Sequence, residues 1–193
     1  MMWQKRALAD IPSVPWRNGH GYTKVIAEGG TEAGFQWRLS VADILKDSSF
    51  SIFTGWRRFF ALLGQGSLTL SEKNGNWSHT VNGSGRPFQF SGEDAVQSSD
   101  VHVPVQALNL MVRANVIWNQ PVGILLKEAA FTIEETGEGQ IFLIPSIGTW
   151  SLHEGRSQVR IVPGEIWSSS VQMFSQTLLT QETPESSLFF VKT

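Results

Sequence analysis

"FALLGQGSLTLSE" (residues 60–72) and "FLIPSIGTWSLHE" (residues 142–154) align without a gap. Phe60 meets Phe142, Leu62 meets Ile144, Gly66 meets Gly148, Ser67 meets Thr149, Leu70 meets Leu152 and Glu72 meets Glu154. Each copy reads as a strand, a glycine-containing turn and a second strand, because alternation with period two puts one face of a strand in a core and the other in water. Similarity at a fixed offset marks a duplicated unit; the plain alternative is that any two β-hairpins look alike. Downstream, "FSGED" (residues 90–94) pairs with "VPGEI" (residues 162–166), across a shorter connection in the second copy. Read as a duplication, the chain is all-β: two tandem jelly-roll barrels, an architecture that includes the cupins. The join falls near "RANVIWNQPVG" (residues 113–123), giving an N-terminal barrel over 1–115 and a C-terminal barrel over 116–193 packed as one unit.

Outward from the repeat, the same period recurs. In "FQWRLSVA", Trp37, Leu39 and Val41 share one face, with Gln36, Arg38 and Ser40 on the other. In "LNLMVR", Leu108, Leu110 and Val112 oppose Asn109, Met111 and Arg113. Each strand thus carries an arginine on its polar face. Helical periodicity is weak, and its best stretch is "ADILKD" (residues 42–47).

Composition narrows the function. The 193 residues include no cysteine, which removes disulfides, thiolate zinc ligands and thiol nucleophiles. A net charge of −2 argues against a general grip on nucleic acid, which needs clustered Lys and Arg. No apolar run reaches the ~18 residues of a membrane span, and "MMWQKRALADIP" lacks the apolar core of a signal peptide, so a cytoplasmic protein off the membrane is expected.

Catalytic signatures are missing. A metal-dependent cupin needs an H-x-H pair, a carboxylate and a later histidine to fill one hemisphere of an ion. His20, His79, His102 and His153 form no such pair, so no bound metal is expected. There is no G-x-S-x-G elbow, P-loop or dinucleotide fingerprint. Glu134 and Glu135, being adjacent, would point to opposite faces of a strand. Binding remains. An arginine fork suits a carboxylate, and Asn109 offers a donor and an acceptor. Arg38, Arg58, Asn109 and Arg113 therefore either hold a small acid in a barrel or belong to a solvated strand face or structural ion pairs.

"PWRNGHGYT" (residues 15–23) is more polar than a connecting loop needs, with Arg17, Asn18 and His20 between two aromatic residues. Together with "FQWRLSVADI", "FSIFTGWRRFFALL", "RPFQFSGEDAV" and "LNLMVR", it resembles in order and spacing the blocks of the HutD/Ves family, small bacterial bicupins associated with histidine-utilisation operons and, in one branch, with stress response. The likeness is strong over residues 15–113; beyond that it rests on the repeat.

The resemblance implies a metal-free bicupin of two double-stranded β-helix (jelly-roll) barrels, cytoplasmic, without cofactor or assigned catalytic residue. It places a ligand site on Arg17, Asn18, His20, Trp37, Arg38, Ser40, Arg58, Asn109, Met111 and Arg113, with residues 15–23 looping over the mouth of the N-terminal barrel. Where the family pattern has an acid, this chain has Ala107, which changes the charge of the implied pocket. The implied role is sensing or buffering a small carboxylate of histidine breakdown, such as urocanate or a formyl- or formimino-glutamate. Two other readings stand beside it: a metal-independent enzyme acting on the same compounds, and an interaction module whose Trp3, Trp56, Trp77 and Trp118 bury a homodimer face.

Overall fold

The computed structural model describes residues 3–31, 34–83, 85–115, 122–133, 139–170 and 177–193. Glu134, Glu135, Trp118 and most of the expected join lie outside them. The repeat becomes two hairpins: β6 (Trp56–Leu63) with β7 (Ser67–Glu72), and β14 (Gln140–Ile147) with β15 (Trp150–Glu154). The first half also holds β2 (Ser13–Pro15), β3 (Gly21–Thr31), β4 (Gly34–Ile44), β5 (Ser48–Ser49), β8 (Ser78–Asn82), β9 (Phe88–Ser91), β10 (Val96–Ser99) and β11 (Val105–Arg113). The second holds β12 (Gly123–Lys127), β13 (Phe131–Ile133), β16 (Ser157–Ile161), β17 (Glu165–Ser170), β18 (Thr177–Gln181) and β19 (Ser187–Lys192), together with β1 (Gln4–Ala7).

The first unit, residues 11–117, pairs a sheet in the order β2-β3-β4-β11-β6-β9 with a sheet β5-β10-β7-β8. The second, residues 1–10 and 118–193, pairs β1-β17-β14-β19-β12 with β13-β18-β15-β16. Replacing β4, β11, β6 and β9 by β12, β19, β14 and β17 matches four strands of the larger sheets, and the small sheets match likewise; β2 and β3 extend the first beyond β4, and β1 extends the second beyond β17. Eight strands of each unit thus share one order. Each unit closes its own core between its two sheets: Ile44, Phe60, Leu62, Leu68, Leu70 and Phe90 in the first, Ile141, Leu143, Trp150, Leu152, Trp167 and Phe190 in the second.

Details of the repeat differ from the ungapped alignment. The inward residues are Phe60 and Leu62 in β6 but Ile141 and Leu143 in β14, one position out of phase with the matched Phe142 and Ile144. A bulge between Pro145 and Ile147 supplies the extra residue that moves every preceding side chain to the other face. The downstream match also fails, since "FSGED" joins β9 to β10 whereas "VPGEI" joins β16 to β17. Both are glycine turns, which look alike wherever they occur.

Three further expectations change. Ala42 to Ile44 extend β4, paired to β3 and β11, in place of a helical turn; the helix among the described residues is the 3-10 turn Leu8–Asp10. Residues 1–10, counted with the N-terminal barrel, belong to the other unit because β1 pairs with β17, where Lys5 meets Glu165 in an ion pair. Trp3 and Trp56, expected on a homodimer face, are 6% exposed, Trp3 inside the second core. Among the described residues no helix is long and apolar enough to cross a membrane.

Gly148 and Gly64 separate two costs of replacing a turn glycine. Both have positive φ, +69° and +72°, which costs an alanine ~1–2 kcal/mol. A Cβ at Gly148 would in addition lie 2.1 Å from Ser186 Oγ and 2.5 Å from Thr183 Oγ1, while at Gly64 nothing lies within 4 Å. Urea denaturation of G148A and G64A is therefore expected to show the larger loss for G148A; equal losses would mean that the Ser186 turn gives way freely.

Candidate functional site

The inward face of the first unit's larger sheet is laid out in rungs. Arg38 of β4 lies opposite Met111 of β11, and Met111 opposite Arg58 of β6. The next rung is Ser40, Asn109 and Phe60, and the one after it Ala42, Ala107 and Leu62. Charged, polar and apolar rows thus succeed one another down one wall of a cavity of about 630 Å³. Alternation is the cause: residues two apart share a face, so the polar set that the sequence places opposite Leu39 and Val41 is the set that faces inward.

Arg58 is only 8% exposed. Its Nε and Nη2 both donate to Asn109 Oδ1, at 3.2 and 3.1 Å. The guanidinium carbon stands 5.0 Å from the Phe90 ring centroid, 5.2 Å from Phe50 and 5.9 Å from Phe53, within cation–π range of all three. Burial alone pushes its pKa down to about 10, which leaves it charged at neutral pH. Among the described residues no carboxylate pairs with it. Because Asn109 Oδ1 is taken up by Arg58, the asparagine has only its amide N–H groups left to offer the cavity.

Arg38 is half-buried and Arg17 exposed; both line the cavity, and neither makes a side-chain hydrogen bond or ion pair among the described residues. Glu28, opposite Arg38 on β3, is exposed and does not line it. The described lining holds three arginines and no Asp, Glu, His or Lys.

The opening loop is a braced turn. Trp16 N donates to Gly21 O at 2.9 Å and Gly19 N to Trp16 O at 3.0 Å. Asn18 Oδ1 accepts from His20 N, and Asn18 Nδ2 donates to Ser48 Oγ at 2.8 Å. Trp16 Nε1 donates to Thr23 Oγ1, also at 2.8 Å. Gly21 has no room for a side chain, since a Cβ would lie 2.4 Å from Asp43 O and 3.0 Å from the Trp16 ring.

Of the ten residues singled out, Arg17, Asn18, Arg38, Ser40, Arg58, Asn109 and Met111 line the cavity, and His20, Trp37 and Arg113 do not. His20 spends its ring on the fold, with Nδ1 2.9 Å from Asp47 O. Trp37 lies on the opposite face of β4, under Gly29. Arg113 belongs to the right face of β11 but sits at its end, exposed and stacked 4.5 Å over Trp56. Sequence reasoning missed the segment of Ser49, Phe50, Ser51 and Phe53, which walls the cavity from a loop with no periodicity to read.

Cupin barrels commonly carry a metal on histidine and carboxylate ligands. The lining here does not fit one: guanidinium groups repel a cation, and among the described residues no three His, Asp or Glu side chains come together to hold an ion. In the second unit Trp150 and Trp167 belong to the buried core. The described lining of the polar cavity belongs wholly to the first unit.

The chain is similar to known proteins along most of its length. A solved structure of HutD from Pseudomonas fluorescens superposes with a TM-score of 0.79 at 19% identity, covering 99% of both chains. A cupin 2 conserved barrel domain protein from Leptotrichia buccalis gives 0.57 at 11% identity, covering 98% of this chain and 96% of that one. By sequence, Protein Ves of Escherichia fergusonii is 32% identical over 149 residues, 74% of each chain. An uncharacterized 21.2 kDa protein from the hutC 3' region of Pseudomonas putida is 35% identical over 111 residues, 53% of this chain and 54% of that one. The HutD family profile matches residues 8–182, and the chain belongs to the HutD family, a cupin-like family associated with histidine utilisation.

Proposed function

We propose that the protein is a metal-free binding protein for a small carboxylate, and that it senses or buffers an acid of histidine breakdown, of the urocanate or formyl- or formimino-glutamate type. The observation that carries this reading is a lining of three arginines with no acid among the described residues, in a chain whose net charge is −2. A buried guanidinium without a counter-charge is costly: the lowering of the Arg58 pKa from 12.5 to about 10 corresponds to roughly 3 kcal/mol. A cost of that kind persists at functional sites, where it prepares the chain for a ligand that supplies the missing charge. Phenyl rings and the Asn109 amide oxygen hold the cation in place without neutralising it.

Binding is favoured over turnover by the same lining. Proton transfer near neutral pH needs a group that titrates there, and arginine does not. The hydroxyls of Thr23, Ser40, Ser49 and Ser51 face the cavity with no His, Asp, Glu or Lys among its described walls to act as a base.

Calorimetric titration with urocanate, formyl-glutamate and formimino-glutamate tests the reading. Each arginine contact to a carboxylate is worth ~1.5–3 kcal/mol, so R38A and R58A are expected to weaken the best binder by roughly 10- to 100-fold. R113A and K73A, outside the cavity, are expected to leave affinity unchanged. Unaltered affinity in both folded R38A and R58A proteins would return these residues to a structural role; consumption of the bound compound, followed by NMR, would make the protein an enzyme.

Arg58 also allows stability to be set against binding. R58M keeps the bulk and removes the charge, and replacing buried ionic groups by apolar ones of similar volume is often neutral or stabilising by ~1–4 kcal/mol. The variant is expected to melt at or above the wild-type temperature without ligand, and to lose the stabilisation that ligand gives wild type. A large drop in melting temperature would show that the cation is needed by the fold itself.

A further inference from the structure

The three arginines are not clustered. Arg38 and Arg58 share one rung, flanking Met111. Arg17 is held at the other end. Its neighbour Trp16 bonds to Gly21, Gly21 pairs with Ile44, and Leu45 N donates to His20 O at 2.9 Å. Ile44 stands six residues along β4 from Arg38, which at ~3.3 Å per residue is about 20 Å of strand. Long side chains reaching inward from both levels shorten that span.

Between the two charged ends the wall is apolar or neutral: Ala42 and Phe60 on the sheet, Trp16 from the loop, Phe50 from the facing segment. The Trp16 and Phe50 rings meet edge to face with centroids 6.4 Å apart, so this middle section is built as a packed aromatic wall. Neither Arg17 nor Arg38 has a protein partner among the described residues to absorb its charge. A monoacid satisfies one end of such a cavity and leaves the other end cationic.

We infer that the ligand is an elongated dianion, with an acid group at each end of an apolar body: one end is held by Arg38 and Arg58 with the Asn109 amide, the other by Arg17 at the rim. This deepens the reading of the cavity as a carboxylate site and rests on it. Arg17 then selects two-headed acids over one-headed ones, while Arg38 and Arg58 hold the end that both kinds share. The exposed position of Arg17 makes its contribution modest and sensitive to salt.

The test compares matched probes on the full chain by calorimetry: glutarate, adipate and suberate against pentanoate, hexanoate and octanoate, at low and high ionic strength. The expected result is that one diacid binds about three- to tenfold tighter than its matched monoacid, that the advantage shrinks in high salt, and that R17A, altered at an exposed loop residue and checked to melt as wild type does, binds that diacid no better than wild type binds the monoacid. Equal affinities within every pair, or an advantage that survives in R17A, would overturn the inference and leave the carboxylate site standing. Failure of wild type to bind any of the six acids, nor any of the three histidine-derived acids, would bring down the carboxylate reading and this inference with it.

Discussion

The guanidinium of Arg58 is the constraint around which the first barrel is arranged. A charge with 8% of its residue exposed must be held by something, and here the holders are neutral: one amide oxygen on the next strand and the faces of three phenyl rings. That choice fixes its neighbours. Asn109 has to present its oxygen to β6, Phe50 and Phe53 have to come in from the loop after β5, and Phe90 has to sit across from Arg58 on β9. Had an aspartate stood among them, the site would be a buried ion pair with no appetite for a ligand.

The two barrels show what this arrangement asks of an otherwise repeated fold. Eight strands follow the same order in both, and the first unit adds β2 and β3, whose connecting turn brings Trp16, Arg17 and Asn18 to the cavity. The second barrel packs Trp150, Trp167 and Phe190 into its core. The first gives up part of that packing at one end, where arginine, serine and asparagine replace apolar residues on successive rungs, and keeps it at the other, where Ile44, Leu62 and Leu70 are fully buried.

Much of this was legible in the sequence, and the limits have physical causes. Period-two alternation identified the strands and the face on which Arg38, Ser40, Asn109 and Met111 lie, because side-chain direction follows from backbone geometry alone. The duplication was visible in one hairpin. Its phase was not, because a single bulged residue at Pro145 to Ile147 inverts every side chain before it and leaves no mark in composition. Arg113 obeys the same alternation as Met111, yet the strand ends there and Trp56 captures it. His20 and the segment of Ser49 to Phe53 depend on loop paths, which carry no periodicity; only the fold reveals that one braces a turn and the other walls the cavity.

The swapped position of β1 bears on how the chain is made. Trp3 packs into the second core and residues 4–7 complete the edge of its larger sheet against residues 165–168, so a strand made before the first barrel belongs to the barrel made after it. At ~5–20 residues per second, roughly 10–30 s of synthesis separate the two partners. During that interval residues 11–117 can close their own core, while an apolar strand end waits in solvent with nothing yet made to cover it. The order of synthesis and the order of assembly therefore differ at this strand, and the edge of the second barrel's larger sheet closes only after the whole first unit has been made.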